Sequence, residues 1–140
     1  PWGQLILRTD VQVTPDALLP LEKLAIGGST SVRGYRENQL VRDQGFVTSV
    51  EFRHPLYRGT RHAVAIDGAV FADGGGAWDR AVKTGEPRTI GSVGVGVRGE
   101  VAGRLRFQLY WGHPFTTAHD AGGDLQDDGI HFMISASAFE

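Results

Sequence analysis

Six segments of this chain alternate apolar and polar residues with period two, and their apolar sets are almost free of charge. That period belongs to strands with two unlike faces. Along 4–13, Leu5, Leu7, Val11 and Val13 share one face, and Gln4, Arg8, Asp10 and Gln12 the other. Along 46–54, Phe46, Val50 and Phe52 oppose Ser49, Glu51 and Arg53. Along 63–73, Val64, Ile66 and Val70 oppose Asp67, Phe71 and Asp73. The same pattern covers 89–99, 104–111 and 130–139, where His131 and Tyr110 fall on the polar face. No segment has the period of an amphipathic helix. The chain is expected to be all-β, an antiparallel up-and-down arrangement.

The two faces differ too much for an ordinary soluble sheet. One carries Arg8, Asp10, Glu51, Arg53, Asp67, Asp73, Arg98, Arg104 and Arg106, which suits a wet lumen better than a packed core. The other would expose an apolar patch too large for a soluble surface. No apolar run reaches the roughly 18 residues of a membrane helix, but a transmembrane strand needs only about 9–11 alternating residues. The connections also alternate: long at 14–45, 74–88 and 112–129, short at 55–62 and 100–103. Outer-membrane barrels combine short periplasmic turns with long extracellular loops in this way. A soluble β-sandwich or lipocalin-like barrel also alternates and is the competing reading of the pattern. Six strands cannot close a barrel of that kind, and free edges in lipid would cost several kcal/mol per unpaired group. Residues 1–140 are therefore expected to be the C-terminal part of a larger β-barrel domain, with no second domain.

Charge and composition exclude several classes. A net charge of −2 without any Lys/Arg run does not suit a nucleic-acid partner. The absence of cysteine removes disulfides and Cys-based zinc sites. His54, His62, His113, His119 and His131 lack the spacing of helical metal ligands. His113 with His119 and Asp120, and the acidic run Asp124–Asp128, read as solvated Gly-rich loop rather than as metal sites. No Gly-x-Ser-x-Gly elbow or nucleophile beside an oriented base is present, so neither enzyme activity nor a cofactor is expected.

The long connection 14–45 exceeds the length at which structureless loops become uncommon, about 12–15 residues, so it is expected to be functional or disordered. It carries Gly27-Gly28, then Val32-Arg33-Gly34-Tyr35, and two further arginines, Arg36 and Arg42. One alternating segment later, Phe71-Ala72-Asp73-Gly74-Gly75 reads F-x-D-x-G. Asp73 and Glu51 share the polar face, and Gly91, Gly94 and Gly96 lower the wall where another backbone could approach. A loop folded onto that face would let Arg33 reach Asp73 or Glu51, with a guanidinium fork matched to a carboxylate. The blander alternatives are an exposed loop arginine, and an Asp73 that ends its strand and opens a turn with Gly74-Gly75-Gly76. Tyr35 is expected to pack the loop tip against the wall. Trp2 and Trp111 lie near strand ends and fit an interfacial aromatic girdle; Trp78 reads as a loop residue.

The pair of motifs, in this order, resembles the C-terminal barrel region of the outer-membrane protein-translocating and assembly superfamily. The run Leu109-Tyr110-Trp111-Gly112-His113-Pro114 and the segment 92–98 resemble most the two-partner secretion transporters, the hemolysin secretion/activation type (ShlB/FhaC/HecB). The resemblance covers nearly the whole chain. It implies a 16-stranded transmembrane β-barrel behind periplasmic polypeptide-transport-associated domains, in the outer membrane of a Gram-negative bacterium. The six strands would be its last six. It implies export of an unfolded hemolysin or adhesin without ATP, contact with outer-membrane lipid, and insertion by the barrel assembly machinery. By motif match, the lumen-entering loop carries Gly27, Gly28, Val32, Arg33, Gly34 and Tyr35. The wall motif supplies Phe71, Asp73 and Gly75, with Glu51 as a second acceptor. An assembly factor of the same superfamily, a passive pore or surface antigen, and a soluble β-sandwich binding module are the alternatives. The ending Ala138-Phe139-Glu140 departs from the family, because alternation puts Ala138 and Glu140 rather than Phe139 on the apolar face.

Overall fold

Eight strands and no helix make up the residues described by the computed structural model, 2–60, 63–80, 88–116 and 125–137. They are β1 (Gln4–Gln12), β2 (Leu24–Ile26), β3 (Leu40–Arg42), β4 (Gln44–Gly59), β5 (Val64–Trp78), β6 (Arg88–Val101), β7 (Leu105–Pro114) and β8 (Ile130–Ala136). Six of them form one antiparallel sheet in the order β1-β4-β5-β6-β7-β8. The sheet is open, with β1 and β8 as its edges. The remaining two, β2 and β3, form a small hairpin sheet inside the long connection.

Register turns the period-two pattern into continuous rows. Leu5, Phe52, Val70, Val95, Trp111 and Ile130 stand side by side across all six strands. The first five are each at least 43% exposed, so this face packs against nothing among the described residues. On the opposite face lie the rows Ser49, Asp73, Ser92 and Glu51, Phe71, Gly94, Gly112. The long connection folds over this second face. Its Ile26, Val32, Tyr35 and Leu40 bury themselves against Val47, Ala77 and Ile90 of the sheet. Each large apolar side chain so buried contributes about 1.5–3 kcal/mol. The core therefore lies between one sheet and its own loop, and among the described residues there is no second large sheet as a sandwich would require.

Several boundaries differ from the sequence expectation. Residues 14–45 are not structureless, because β2 and β3 pair within them. The expected turn at 55–62 is mostly strand: β4 runs to Gly59 through a bulge between Pro55 and Tyr57. Proline is tolerated at such a bulge, and the shift turns Tyr57 outward with Ile66 while Arg58 reaches Asp67. The expected loop from Gly74 is also strand. β5 continues through Gly74-Gly75-Gly76, paired with Thr48, Val47 and Phe46, and ends at Trp78. Asp73 thus sits in mid-strand rather than at a turn, and Trp78 is a strand residue. The short turn between β6 and β7 bends at Ala102 and Gly103, both at positive φ. Residues 138–140, on which the reading of the chain end depended, lie outside the described residues, as do His62, His119, Asp120 and Asp124.

Candidate functional site

Arg33 is presented by a tip that holds its own shape. Gly27 N–H donates to Ser31 Oγ at 2.8 Å, and Gly28 N–H donates to the Val32 carbonyl at 3.2 Å. Ser29 donates to Glu37 Oε1 from its N–H at 2.9 Å and from its hydroxyl at 3.1 Å. Gly34 has φ +94, a conformation other residues adopt only with strain. The chain therefore turns immediately after Arg33, leaving its side chain directed at the sheet.

The guanidinium meets β4 and β5 together. Its Nε donates to Asp73 Oδ2 at 2.7 Å and its Nη2 to Oδ1 at 2.8 Å, a two-point fork. The Arg33 backbone N–H adds a third bond to Asp73 Oδ2 at 3.0 Å. Its Nη1 donates to Glu51 Oε2, and Nη2 also reaches Ser49 Oγ at 3.1 Å. Ser49 in turn donates to Asp73 Oδ1 at 2.6 Å. The ring of Phe71 lies beneath the guanidinium, 3.7 Å from its carbon to the ring centre, and Tyr110 flanks it at 4.8 Å. Arg33, Asp73 and Glu51 are all about 5% exposed. A buried cation is tolerable here because each of its three nitrogens donates to a carboxylate or a hydroxyl and its face lies on an aromatic ring.

The two carboxylates are not equivalent. Asp73 has Arg33 and Ser49 as partners. Glu51 accepts from Arg33 and Arg53, lies 3.8 Å from Arg98, and receives the Tyr110 hydroxyl at 3.4 Å. Without the loop, Glu51 would keep two cations and Asp73 would keep none among the described residues. A cavity of about 310 Å³ opens beside this cluster, lined in part by Arg53, Arg98 and Tyr110.

The remaining motif residues support the loop. Ser92 donates to the Arg33 carbonyl. The Tyr35 hydroxyl donates to the Gly91 carbonyl at 2.9 Å and accepts from Thr116 N–H at 3.1 Å, while its ring joins the core. Val32 is fully buried in the same core. Gly75 leaves the space that Ile26 and Val32 fill: a Cβ there would lie 3.1 Å from Ile26 and 2.9 Å from the Phe46 carbonyl. Gly94 and Gly96 do not receive the loop backbone, contrary to expectation. They make room for the rings of Phe71 and Tyr110, which would stand 2.4 and 2.2 Å from an added Cβ. The backbone approach occurs instead at Gly112 on β7.

Sequence reasoning left Ser49, Ser92, Tyr110, Gly112 and His131 out of the site. Alternation already placed Ser49, Tyr110 and His131 on the polar face. An aromatic residue among polar neighbours, as Tyr110 is, was the usable signal. Among the described residues no cluster of three or more His, Asp or Glu side chains could hold a metal.

The root of the loop has its own anchor. Asp43, 1% exposed, accepts from Arg80 N–H at 2.8 Å and Leu18 N–H at 3.1 Å, with Lys23 Nζ at 3.2 Å. Those backbone donors, and then Lys23, hold its carboxyl below the ordinary value of 3.8. The stabilisation is therefore complete above that ordinary value and is lost as pH falls from it through the lowered one. Hydrogen-exchange protection of the Leu18 and Arg80 amides should hold at about pH 5 and be lost as pH falls through the lowered value. Asp43→Asn should weaken it at pH 5 and remove that acid step.

A family model for haemolysin secretion/activation protein ShlB/FhaC/HecB matches residues 4–99. The matched segment contains both Val32–Tyr35 and Phe71–Gly75. Comparison with curated proteins and with solved structures returned no match.

Proposed function

Because this chain belongs to the haemolysin secretion/activation (ShlB/FhaC/HecB) family of outer-membrane two-partner secretion transporters, we propose that it forms the last six strands of a pore exporting a large hemolysin- or adhesin-type exoprotein. The observation that carries this reading is the burial of Arg33, on a long loop, against Asp73 and Glu51 of the sheet face opposite an uncovered apolar face. The uncovered face meets lipid, and the charged face lines the lumen. Strands β4 and β5 are 16 and 15 residues long. Both exceed the roughly 9–11 residues a membrane crossing needs, so they project beyond it. The rest of the barrel pairs with the edges β1 and β8, which removes the unpaired backbone groups that lipid would penalise.

In this reading the loop is a plug whose position is set by charge. An unfolded client entering the lumen competes with the loop for space. Withdrawal of Arg33 leaves the Asp73 carboxylate beside Ser49 with no cation among the described residues, whereas Glu51 stays neutralised by Arg53 and Arg98. Asp73 is then the group that favours the loop's return. No chemical step is involved, and the barrel supplies a path rather than an energy source.

The test uses the intact transporter expressed with its exoprotein partner. Asp73→Ala should lower exoprotein in the medium severalfold while the transporter's outer-membrane level stays unchanged. Export at the parent level, or a chain that is a folded monomer in plain buffer without detergent, would rule the reading out.

A further inference from the structure

The loop tip has a second seat, on β7 and β8, that uses no atom of Asp73 or Glu51. Gly34 N–H donates to His131 Nε2 at 3.1 Å, and His131 is 6% exposed. Three glycines from three parts of the chain meet there. A Cβ on Gly34 would lie 2.9 Å from the Gly112 carbonyl oxygen, and one on Gly112 would lie 2.8 Å from Gly34 N. A Cβ on Gly129 would lie 2.1 Å from that same carbonyl. Gly112 N–H donates to the Gly129 carbonyl at 2.9 Å, which fixes the start of β8 against β7. The loop backbone therefore rests directly on the β7 backbone, without side chains between. Arg36 extends the contact, with Nη2 donating to Asp127 Oδ2 at 2.9 Å and Nε to Oδ1, in the connection between β7 and β8.

We propose that His131 is a positioning residue: its Nε2 is the acceptor that clamps the loop tip to β8 at Gly34. This rests on the reading of the loop as a lumen plug. The loop would then bridge the sheet from β4 and β5 to its last strand, and leaving the lumen would break bonds at both places. The bond requires Nε2 to be the unprotonated ring nitrogen, because Gly34 N–H is the donor. A side chain of similar shape without an acceptor would leave that buried N–H unpaired. Glutamine keeps an acceptor, Oε1, at about the reach of Nε2.

The experiment measures how fast a bulky, membrane-impermeant maleimide labels a cysteine placed at Val32, a tip position fully buried while the loop is docked, in the intact transporter in outer-membrane vesicles. Four variants are compared with the parent: Arg33→Ala, His131→Phe, His131→Ala and His131→Gln. His131→Phe should raise the rate about fivefold, the size of one ordinary hydrogen bond, and His131→Gln should return it to within about twofold of the parent. If the phenylalanine variant does not reach the membrane, His131→Ala asks the same question. A rate for His131→Phe or His131→Ala equal to the parent's would overturn the proposal. Equal increases in the phenylalanine and glutamine variants would overturn it as well, because the acceptor would then not matter. The Arg33→Ala arm separates the two levels. If it speeds labelling and the His131 arms do not, only the clamp fails; if it leaves labelling unchanged, the plug reading itself fails.

Discussion

Replacing Arg33 by alanine is expected to free the loop tip from the sheet and to abolish most exoprotein export. The side chain makes four hydrogen bonds, to Asp73 twice, Glu51 and Ser49, and lies over Phe71. Its removal leaves the Asp73 carboxylate buried beside Ser49 with no cation. Breaking one partner of a buried pair costs about 3–5 kcal/mol, because the remaining charge is uncompensated. The cation–π contact with Phe71 adds about 0.5–2 kcal/mol to what is lost. Arg33→Lys should fall between parent and alanine. An ammonium keeps the charge but cannot span both Asp73 oxygens while reaching Glu51. Loop-tip labelling and export measured on the same cells check both variants. A lysine variant equal to the parent would mean that charge alone holds the loop.

Gly34→Ala should be nearly as damaging, for a steric reason. The residue is at φ +94, which costs an L-residue about 1–2 kcal/mol. Its new Cβ would stand 2.9 Å from a β7 carbonyl oxygen that the sheet holds in place. Overpacking of that kind adds about 1–3 kcal/mol. The neighbouring motif supplies the control. Gly74→Ala meets nothing closer than 3.9 Å and has no positive φ, so its effect should stay within about 0.5 kcal/mol. Thermal or denaturant stability of the docked loop, read from labelling of a cysteine at the buried Val32 position, separates the two. Equal effects at Gly34 and Gly74 would show that the tip does not rest on β7.

Much of this was legible in the sequence, and the limits have physical causes. Period-two alternation put Glu51, Phe71, Asp73 and Tyr110 on one face, and the structure has them there. Alternation is local, so it survives ignorance of the fold. Strand ends were not legible. Gly74-Gly75-Gly76 has the composition of a turn, yet the triplet pairs as strand because Phe46, Val47 and Thr48 lie opposite and the loop packs onto Gly75. Tertiary contact overrode local preference there. Pro55 likewise reads as a stop, but the bulge beside it lets β4 continue. The seat on β7 and β8 was the least visible part. Gly34, Gly112 and His131 are far apart in the chain, and no spacing rule links residues brought together by register and a folded-back loop. Gly94 and Gly96 showed that space was needed, but not that aromatic rings rather than backbone would fill it.

The coupling between Arg33 and Asp73 is the most direct measurement of what holds the loop. Arg33→Ala, Asp73→Ala and the double variant are compared by labelling of a cysteine at the buried Val32 position in the intact transporter. The double variant should be no more open than Arg33→Ala alone, with a coupling of about 0.5–3 kcal/mol. Effects that simply add, with no coupling, would contradict a loop held in the lumen by this pair.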